Sequence, residues 1–165
     1  IVLPNGVLSS RNLAAVEKAT RALEQTITFL PTVRLVSGIA ALSVHDPNQP
    51  LATAAFSMSE AAGEMRTAVA QRAEKGALTL SGAVAKGDVV VSARGETLLI
   101  ADDPLDAVTR ACKRLLEHGG EQVTVLFDPE ELTEEQLRPL EDSLDVEVMV
   151  YPADGLEVCA EIGGE

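Results

Sequence analysis

Aromatic residues are nearly absent from this chain of 165 residues. Three Phe and one Tyr make up 2% of it, and there is no Trp. Proteins that bind single-stranded nucleic acids stack the bases on aromatic side chains. So few aromatic residues argue against such a stacking platform, and the hydrophobic core must be built from Ala, Val, Leu and Ile.

Basic residues are also scarce. The chain has 13 Lys and Arg against 26 Asp and Glu, which gives a net charge of −13. Neutralising nucleic acid phosphates takes clustered Lys and Arg, so nucleic acid is not an expected partner. The surplus of acid is largest in residues 121–165, which carry 14 carboxylates and a single base, Arg138. We interpret this acidic end as a solubilising surface rather than a docking surface.

Long apolar runs and clustered cysteines are missing as well. No run approaches the ~20 apolar residues that a membrane-spanning helix needs, and no signal peptide is visible. Cys112 and Cys159 stand alone in the sequence. Two isolated thiols favour a reducing, cytoplasmic location over a disulfide scaffold.

Motifs for catalysis, metal binding and nucleotide binding are also lacking. His45 and His118 each lie at a predicted helix end, where solvated or capping histidines are common, and no Cys/His spacing suits zinc. The chain has no Walker-type phosphate loop and no GxGxxG after a strand. Because no nucleophile–base pair is visible, an independent enzyme is the least favoured interpretation.

Strands and helices alternate in the first third of the chain. Ile1–Leu3 and residues 27–30 are apolar, strand-like segments, and each runs into a proline. A helix is predicted after each of them, the first capped by Ser9 or Ser10 and the second in residues 36–44. The order strand–helix–strand–helix predicts a parallel pair of strands with a right-handed crossover.

The first residue lies in one of these strand-like segments. Ile1, Val2 and Leu3 have the composition of a strand buried on both faces. A chain start is normally polar and frayed. We therefore expect Ile1 to be an interior position of a longer protein, with the first lobe incomplete at its N-terminus.

The later part of the chain follows the best linker signal, DPNQP at residues 46–50. Beyond it, a helix is predicted from a capping box at Ser57 and Glu60 to Gly76. Strand then follows strand, which is typical of an antiparallel sheet. A helix, a strand, an acidic helix interrupted at Pro139 and two more strands complete the chain.

These elements predict an α/β fold in two lobes. Residues 1–50 form a parallel strand–helix–strand–helix unit, and residues 54–165 form a mixed lobe with helices and a largely antiparallel sheet. The linker is expected around residues 46–53. The last strand is predicted at residues 156–162.

Polar side chains follow both strands of the first lobe. The carboxyl ends of parallel strands form the edge where ligands bind in open α/β sheets, and the helix starts that follow offer free backbone N–H groups. An anion, or the acidic surface of a partner, would suit this edge. The alternative, that these residues only end strands and cap helices, stays open. The candidate binding residues are Asn5, Ser9, Arg11, Asn12, Thr32, Arg34 and Ser37.

Several short motifs in the first lobe occur together in one order. They are Leu3-Pro4-Asn5, Asn12 with an Ala-rich helix, Leu30-Pro31-Thr32, SGIAAL at residues 37–42, and Asp46-Pro47. Their combination resembles the C-terminal domain of the ATP-binding protein of bacterial fatty acid kinases, whose N-terminal part is dihydroxyacetone-kinase-like and contains a DAK2 domain. The later elements follow the same order, so the resemblance covers essentially the whole chain.

The resemblance implies a division of labour and a DegV-like architecture. ATP and metal would be bound only by an upstream kinase domain, so no cofactor is expected in this fragment. A separate DegV-like fatty-acid-binding protein would carry the substrate, and the acyl phosphate product would serve phospholipid synthesis. The favoured function is a non-catalytic docking or regulatory domain, with Asn5, Arg11 and Arg34 as contacts to the carrier. The alternative is a small-molecule or anion-binding α/β domain that uses the same two loops.

Overall fold

The computed structural model describes residues 1–165 and divides the chain into two compact units. We call Ile1–Met65 the small unit and Arg66–Glu165 the large unit. None of the six helices has the length and apolarity that crossing a membrane requires.

The small unit contains three helices and two short extended segments. A single parallel bridge joins Val2 to Phe29. The Val2 N–H donates to the Thr28 carbonyl at 2.8 Å, and the Leu30 N–H donates to the Val2 carbonyl at 2.9 Å. The predicted parallel strand–helix–strand–helix unit is therefore present, with the strand pair reduced to one bridge. The helices are α1 (Ser10–Thr20), α2 (Leu35–Ser43) and α3 (Leu51–Glu64).

The third helix places the division between units later than the linker predicted around 46–53. The sequence pattern divides the chain into residues 1–50 and 54–165, whereas the units meet after Met65. Residues 46–50 are a turn within the small unit, because α3 packs back onto it. Its buried Met58 contacts the cluster that contains Leu30. A Pro- and Asn-rich turn between two packed helices has the same composition as a linker between domains.

The helix predicted from Ser57 to Gly76 is wrong. Ser57 lies in the middle of α3, which ends at Glu64, and strand β1 (Arg66–Arg72) follows almost at once. Residues 68–70 of β1 are Ala-Val-Ala and are buried. A central strand made of alanines has too little β-branched character to be distinguished from a continuing helix.

The large unit is built on a six-stranded sheet in the order β5-β4-β1-β8-β6-β7. All neighbours in it are antiparallel except β6 and β7, so the prediction of a mixed, largely antiparallel sheet is confirmed. A separate hairpin contains β2 and β3. The remaining strands are β2 (Ala77–Thr79), β3 (Gly82–Val84), β4 (Val89–Ala93), β5 (Glu96–Ala101), β6 (Gln122–Phe127), β7 (Glu147–Pro152) and β8 (Ala160–Gly164), and the helices are α4 (Pro104–Leu116), α5 (Glu134–Leu137) and α6 (Leu140–Leu144).

The centre of the large unit is the packing of α4 on the sheet. Ile162 of β8 pairs with Ala68 on one side and Val125 on the other, and it is fully buried. The buried face of α4, which includes Val108 and Cys112, belongs to the same core cluster. The strand predicted at residues 156–162 is shorter than expected and begins only at Ala160.

Candidate functional site

The loop after the first extended segment is a tight turn. The Val7 N–H donates to the Pro4 carbonyl at 3.0 Å. The two residues between them have positive φ angles, 50° at Asn5 and 78° at Gly6. Two successive positive φ values indicate a type I′ turn, for which Asn-Gly is the favoured pair. The turn holds Asn5 in one fixed backbone conformation.

Asn5 joins this turn to the loop after the second extended segment. Its backbone N–H donates to the hydroxyl oxygen of Thr32 at 3.0 Å. The Thr32 side chain is buried, with 3% of the residue exposed. The turn also lies close against the second loop at Gly6, where any Cβ would overlap the Val33 carbonyl. The two predicted loops therefore form one continuous surface.

Helix α2 begins directly after this second loop, with Arg34 as its N-cap. The Arg34 N–H donates to the Ser37 hydroxyl oxygen at 3.1 Å, and that hydroxyl donates to the Arg34 carbonyl at 2.7 Å. Ser37 is 1% exposed, so this exchange satisfies a buried hydroxyl. Arg34 itself is exposed.

The Asn5 side chain lies across the start of α2. Its amide packs directly on Gly38, where a Cβ would overlap the amide oxygen Oδ1. This oxygen is buried and has no hydrogen-bond partner. A buried amide oxygen without a partner costs free energy and is uncommon in folded proteins.

Sequence reasoning missed Gly38 as part of this arrangement. Its only signal in the sequence is a glycine in the first turns of a helix, where alanine would be more favourable by about 1 kcal/mol. That signal does not say which side chain approaches the glycine.

The other predicted residues lie at the start of α1. The Ser9 hydroxyl oxygen accepts a hydrogen bond from the Asn12 N–H at 3.3 Å and caps the helix. Arg11 is exposed and makes no hydrogen bond or ion pair. The seven candidates thus fall into two groups: Asn5, Thr32, Arg34 and Ser37 around the start of α2, and Ser9, Arg11 and Asn12 at the start of α1.

Apolar side chains flank the first group. Val7 is 84% exposed and Val33 is 62% exposed, although both are valines on tightly held loops. Leu35, in the first turn of α2, is also exposed. We define Asn5, Val7, Val33, Arg34 and Leu35 as the loop edge.

The chemistry of the loop edge suits binding rather than catalysis. No Asp or Glu occurs in residues 1–16 or 25–45, so Arg11 and Arg34 are not neutralised by acids in their own loops. The buried hydroxyls of Thr32 and Ser37 both take part in hydrogen bonds within the protein. No group of three or more His, Cys, Asp or Glu side chains in the structure is arranged to hold a metal ion.

Comparison with known proteins identifies relatives by family and by fold. The model of the FakA-like C-terminal family, which describes the C-terminal domain of fatty acid kinases of this type, matches residues 1–165. No curated protein matches the sequence. Among solved structures, the DegV family protein Cg2579 from Corynebacterium glutamicum is similar with a TM-score of 0.61 and 11% identity, covering 95% of this chain and 70% of that chain. A DegV family protein from Thermus thermophilus, described for its fatty acid binding, is similar with a TM-score of 0.56 and 12% identity, covering 94% and 67%.

At this level of identity the two structures establish the fold alone. The DegV-like architecture expected from the sequence is confirmed.

Proposed function

This chain belongs to the FakA-like fatty acid kinase C-terminal family, and from that premise we propose that it is a non-catalytic docking domain for a DegV-like fatty-acid-binding carrier. In this proposal the carrier presents the fatty acid for acyl phosphate formation. ATP and metal are bound by an upstream kinase domain of the same protein, and the assembly works in the cytoplasm.

The observation that carries the proposal is the composition of the loop edge. Val7 and Val33 are more than half exposed, while hydrogen bonds fix the loops that carry them. Protein interfaces combine exposed apolar side chains with arginine, and rigid loops lose little conformational entropy on binding. Arg34 supplies the arginine at this surface.

Charge gives the proposed surface a direction. The loop edge lies in the least acidic part of a chain whose net charge is −13. Arg11 and Arg34 can each form a bidentate pair with a carboxylate on the partner. An acidic patch on the carrier is therefore the complementary surface, and attraction between the two would speed association at low salt.

Titration of the cognate DegV-like carrier against the 165-residue chain tests the proposal. We expect Val33→Asp to weaken binding at least tenfold, because it places a charge among the exposed valines. Arg34→Ala should cost ~2 kcal/mol if the arginine is desolvated at the centre, and ~0–1 kcal/mol if it lies at the rim. Lys18→Ala is the matched control, since it removes one exposed charge from α1 outside the loop edge.

Thermal unfolding of each variant separates docking from stability. Loss of binding at an unchanged melting temperature supports the docking surface. Equal carrier affinity for wild type, Val33→Asp and Arg34→Ala would contradict it.

The second candidate is a small-molecule or anion-binding domain that uses the same loops. The observation in its favour is the unpaired, buried Oδ1 of Asn5 at the start of α2. The Thermus thermophilus relative in fold is described as binding fatty acid. Calorimetric titration of the chain with dodecanoate separates the two candidates. Binding that Asn5→Gly abolishes and Val33→Asp leaves unchanged would favour the small ligand over the carrier.

A further inference from the structure

A cavity in the large unit carries a charge opposite to that of the unit around it. The cavity has a volume of about 280 Å³ and opens between the last turn of α4 and the ends of β1, β4 and β5. The large unit holds 9 Lys and Arg against 21 Asp and Glu. Three of its arginines, Arg66, Arg94 and Arg114, line this one cavity with His118, and Glu117 is the only carboxylate among them.

The three arginines are not equally available. Both η1 contacts of Arg114 go to the Glu117 carboxylate at 2.8 Å, which neutralises that guanidinium. Arg66 donates to the Gly119 carbonyl beyond the end of α4, so its position is fixed while its charge remains uncompensated. Arg94 is exposed and makes no hydrogen bond or ion pair. The cavity therefore has one positioned cation and one free cation.

The backbone of Arg94 is held by the turn between β4 and β5. Arg94 has a φ of 52° and Gly95 a φ of 83°, and the flanking residues Ala93 and Glu96 are paired in the sheet. This is a two-residue hairpin turn, at whose first position Asn, Asp and Gly are favoured and Arg is not. The sequence thus places a long cation at a position where backbone preference alone would select a small residue.

The remaining part of the lining is apolar. Leu115 of α4 is 7% exposed and closes one side of the cavity, with Leu98 of β5 opposite α4 on the sheet. Pockets for small ligands combine such apolar walls with a few convergent polar groups. A volume of about 280 Å³ lies at the lower end of the range for ligand pockets, which run from about 300 Å³ upward.

We propose that this cavity binds a small organic anion, with a carboxylate or phosphate held by Arg66 and Arg94 and a short apolar part against Leu98 and Leu115. An inorganic anion alone would leave the apolar wall unused, and a neutral apolar molecule would leave the arginines without a partner. The site is separate from the loop edge, and it stands or falls independently of carrier docking.

Titration of the 165-residue chain with four probes tests the proposal. Hexanoate and hexyl phosphate carry both features, hexanol carries only the apolar part, and inorganic phosphate carries only the charge. We expect the better of the two hexyl anions to bind with a Kd of about 1 mM, and hexanol and inorganic phosphate to bind about tenfold more weakly or not at all. Comparing hexanoate with hexyl phosphate identifies which acid the arginines prefer.

Two variants remove one positive charge each. Arg94→Asn retains a residue that the turn favours, so the fold is preserved, and we expect it to weaken binding of the hexyl anions about five- to tenfold. Lys113→Gln removes an exposed charge from α4 outside the cavity and should leave their binding unchanged. Backbone amide shifts in NMR spectra should concentrate at residues 66–67, 93–98 and 114–118.

Three results would overturn the proposal. The first is equal weakening by Arg94→Asn and Lys113→Gln, which would show attraction to charge in general. The second is binding of hexanol as tightly as hexanoate, which would show an apolar pocket. The third is failure of both hexyl anions to bind, and an acidic peptide that bound instead would assign the arginines to a protein partner.

Discussion

The small and large units differ in how completely they bury their apolar side chains. The core cluster of the large unit contains 19 buried residues, whereas that of the small unit contains five. Of the 15 large hydrophobic residues that are exposed, 12 lie in the small unit, although it has 65 of the 165 residues. Helix α1 has no buried residue at all. The difference suggests that the large unit provides stability and that the small unit provides surface for interaction.

Size alone does not explain the contrast. A small domain necessarily buries a smaller share of its surface, but the exposed valines of the loop edge are held by fixed loops rather than by frayed ends. A lone exposed leucine needs no explanation, whereas clustered ones commonly mark a binding surface. Substitutions placed in each unit can therefore test whether the two differ in stability as they differ in burial.

Truncation of the large unit's core should have the largest effect. Ile162→Ala removes a fully buried side chain at the centre of the sheet and should lower the free energy of unfolding by about 2–5 kcal/mol. Leu23→Ala, in the small unit, truncates a side chain that is 57% exposed and should change it by less than about 0.5 kcal/mol. Urea unfolding monitored by circular dichroism measures both. Similar losses in the two variants would remove the contrast between the units.

The packing of Asn5 on Gly38 provides an intermediate effect in the small unit. Gly38→Ala forces a Cβ into the Asn5 amide and should destabilise this unit by about 1–3 kcal/mol. Asn5→Gly retains the positive φ while it removes the amide, so the double variant should recover most of the loss.

Hydrogen exchange measured by mass spectrometry over residues 1–45 follows this recovery. Additive effects of the two substitutions would mean that the amide does not pack on Gly38 in solution.

Alkaline pH should act on the large unit alone, because both cysteines lie there. Burial raises the pKa of the Cys112 thiol to about 12, whereas an unfolded thiol titrates near pH ~8.5. The folded protein therefore keeps a proton that the unfolded chain loses. The associated stability is fully present below pH ~8.5 and falls by up to ~1.4 kcal/mol per pH unit above it.

Cys112→Ala should reduce this slope between pH ~8.5 and pH ~10.5 without abolishing it, because burial also raises the pKa of Cys159. Urea midpoints at several pH values provide the measurement. Hydrogen exchange in the small unit serves as the internal control, since it contains no cysteine. An unchanged slope in the variant would mean that Cys112 is accessible to water.

The sequence predicted the sheet better than the boundary between the units. The neighbouring strands β4 and β5 have Val- and Leu-rich segments around a turn, and these signals are local. Strand β1 has no such signal, because the burial of its alanines comes from β4 and β8, which are distant in sequence. Long-range pairing decides its conformation, and helical periodicity in a single sequence cannot report it.

The candidate site was predictable in part for the same reason. The rule that parallel strands end at one edge brings Asn5 and Thr32 together, and the structure places a hydrogen bond between them. It does not bring in Gly38, because the contact depends on the rotamer of Asn5 and on the left-handed turn that directs its side chain. The cavity lined by Arg66 and Arg94 could not be predicted at all, since the whole length of the β1–β4 segment separates its arginines in the sequence.

The position of β8 has a consequence for synthesis of the protein on the ribosome. This strand is the last in sequence, yet it lies between β1 and β6 and pairs with both. Until residues 160–164 leave the exit tunnel, the nascent sheet is two separate pieces, each with an unpaired edge that can associate with other chains. The large unit must therefore wait for its final strand, and chaperones that protect open strand edges would act during that interval.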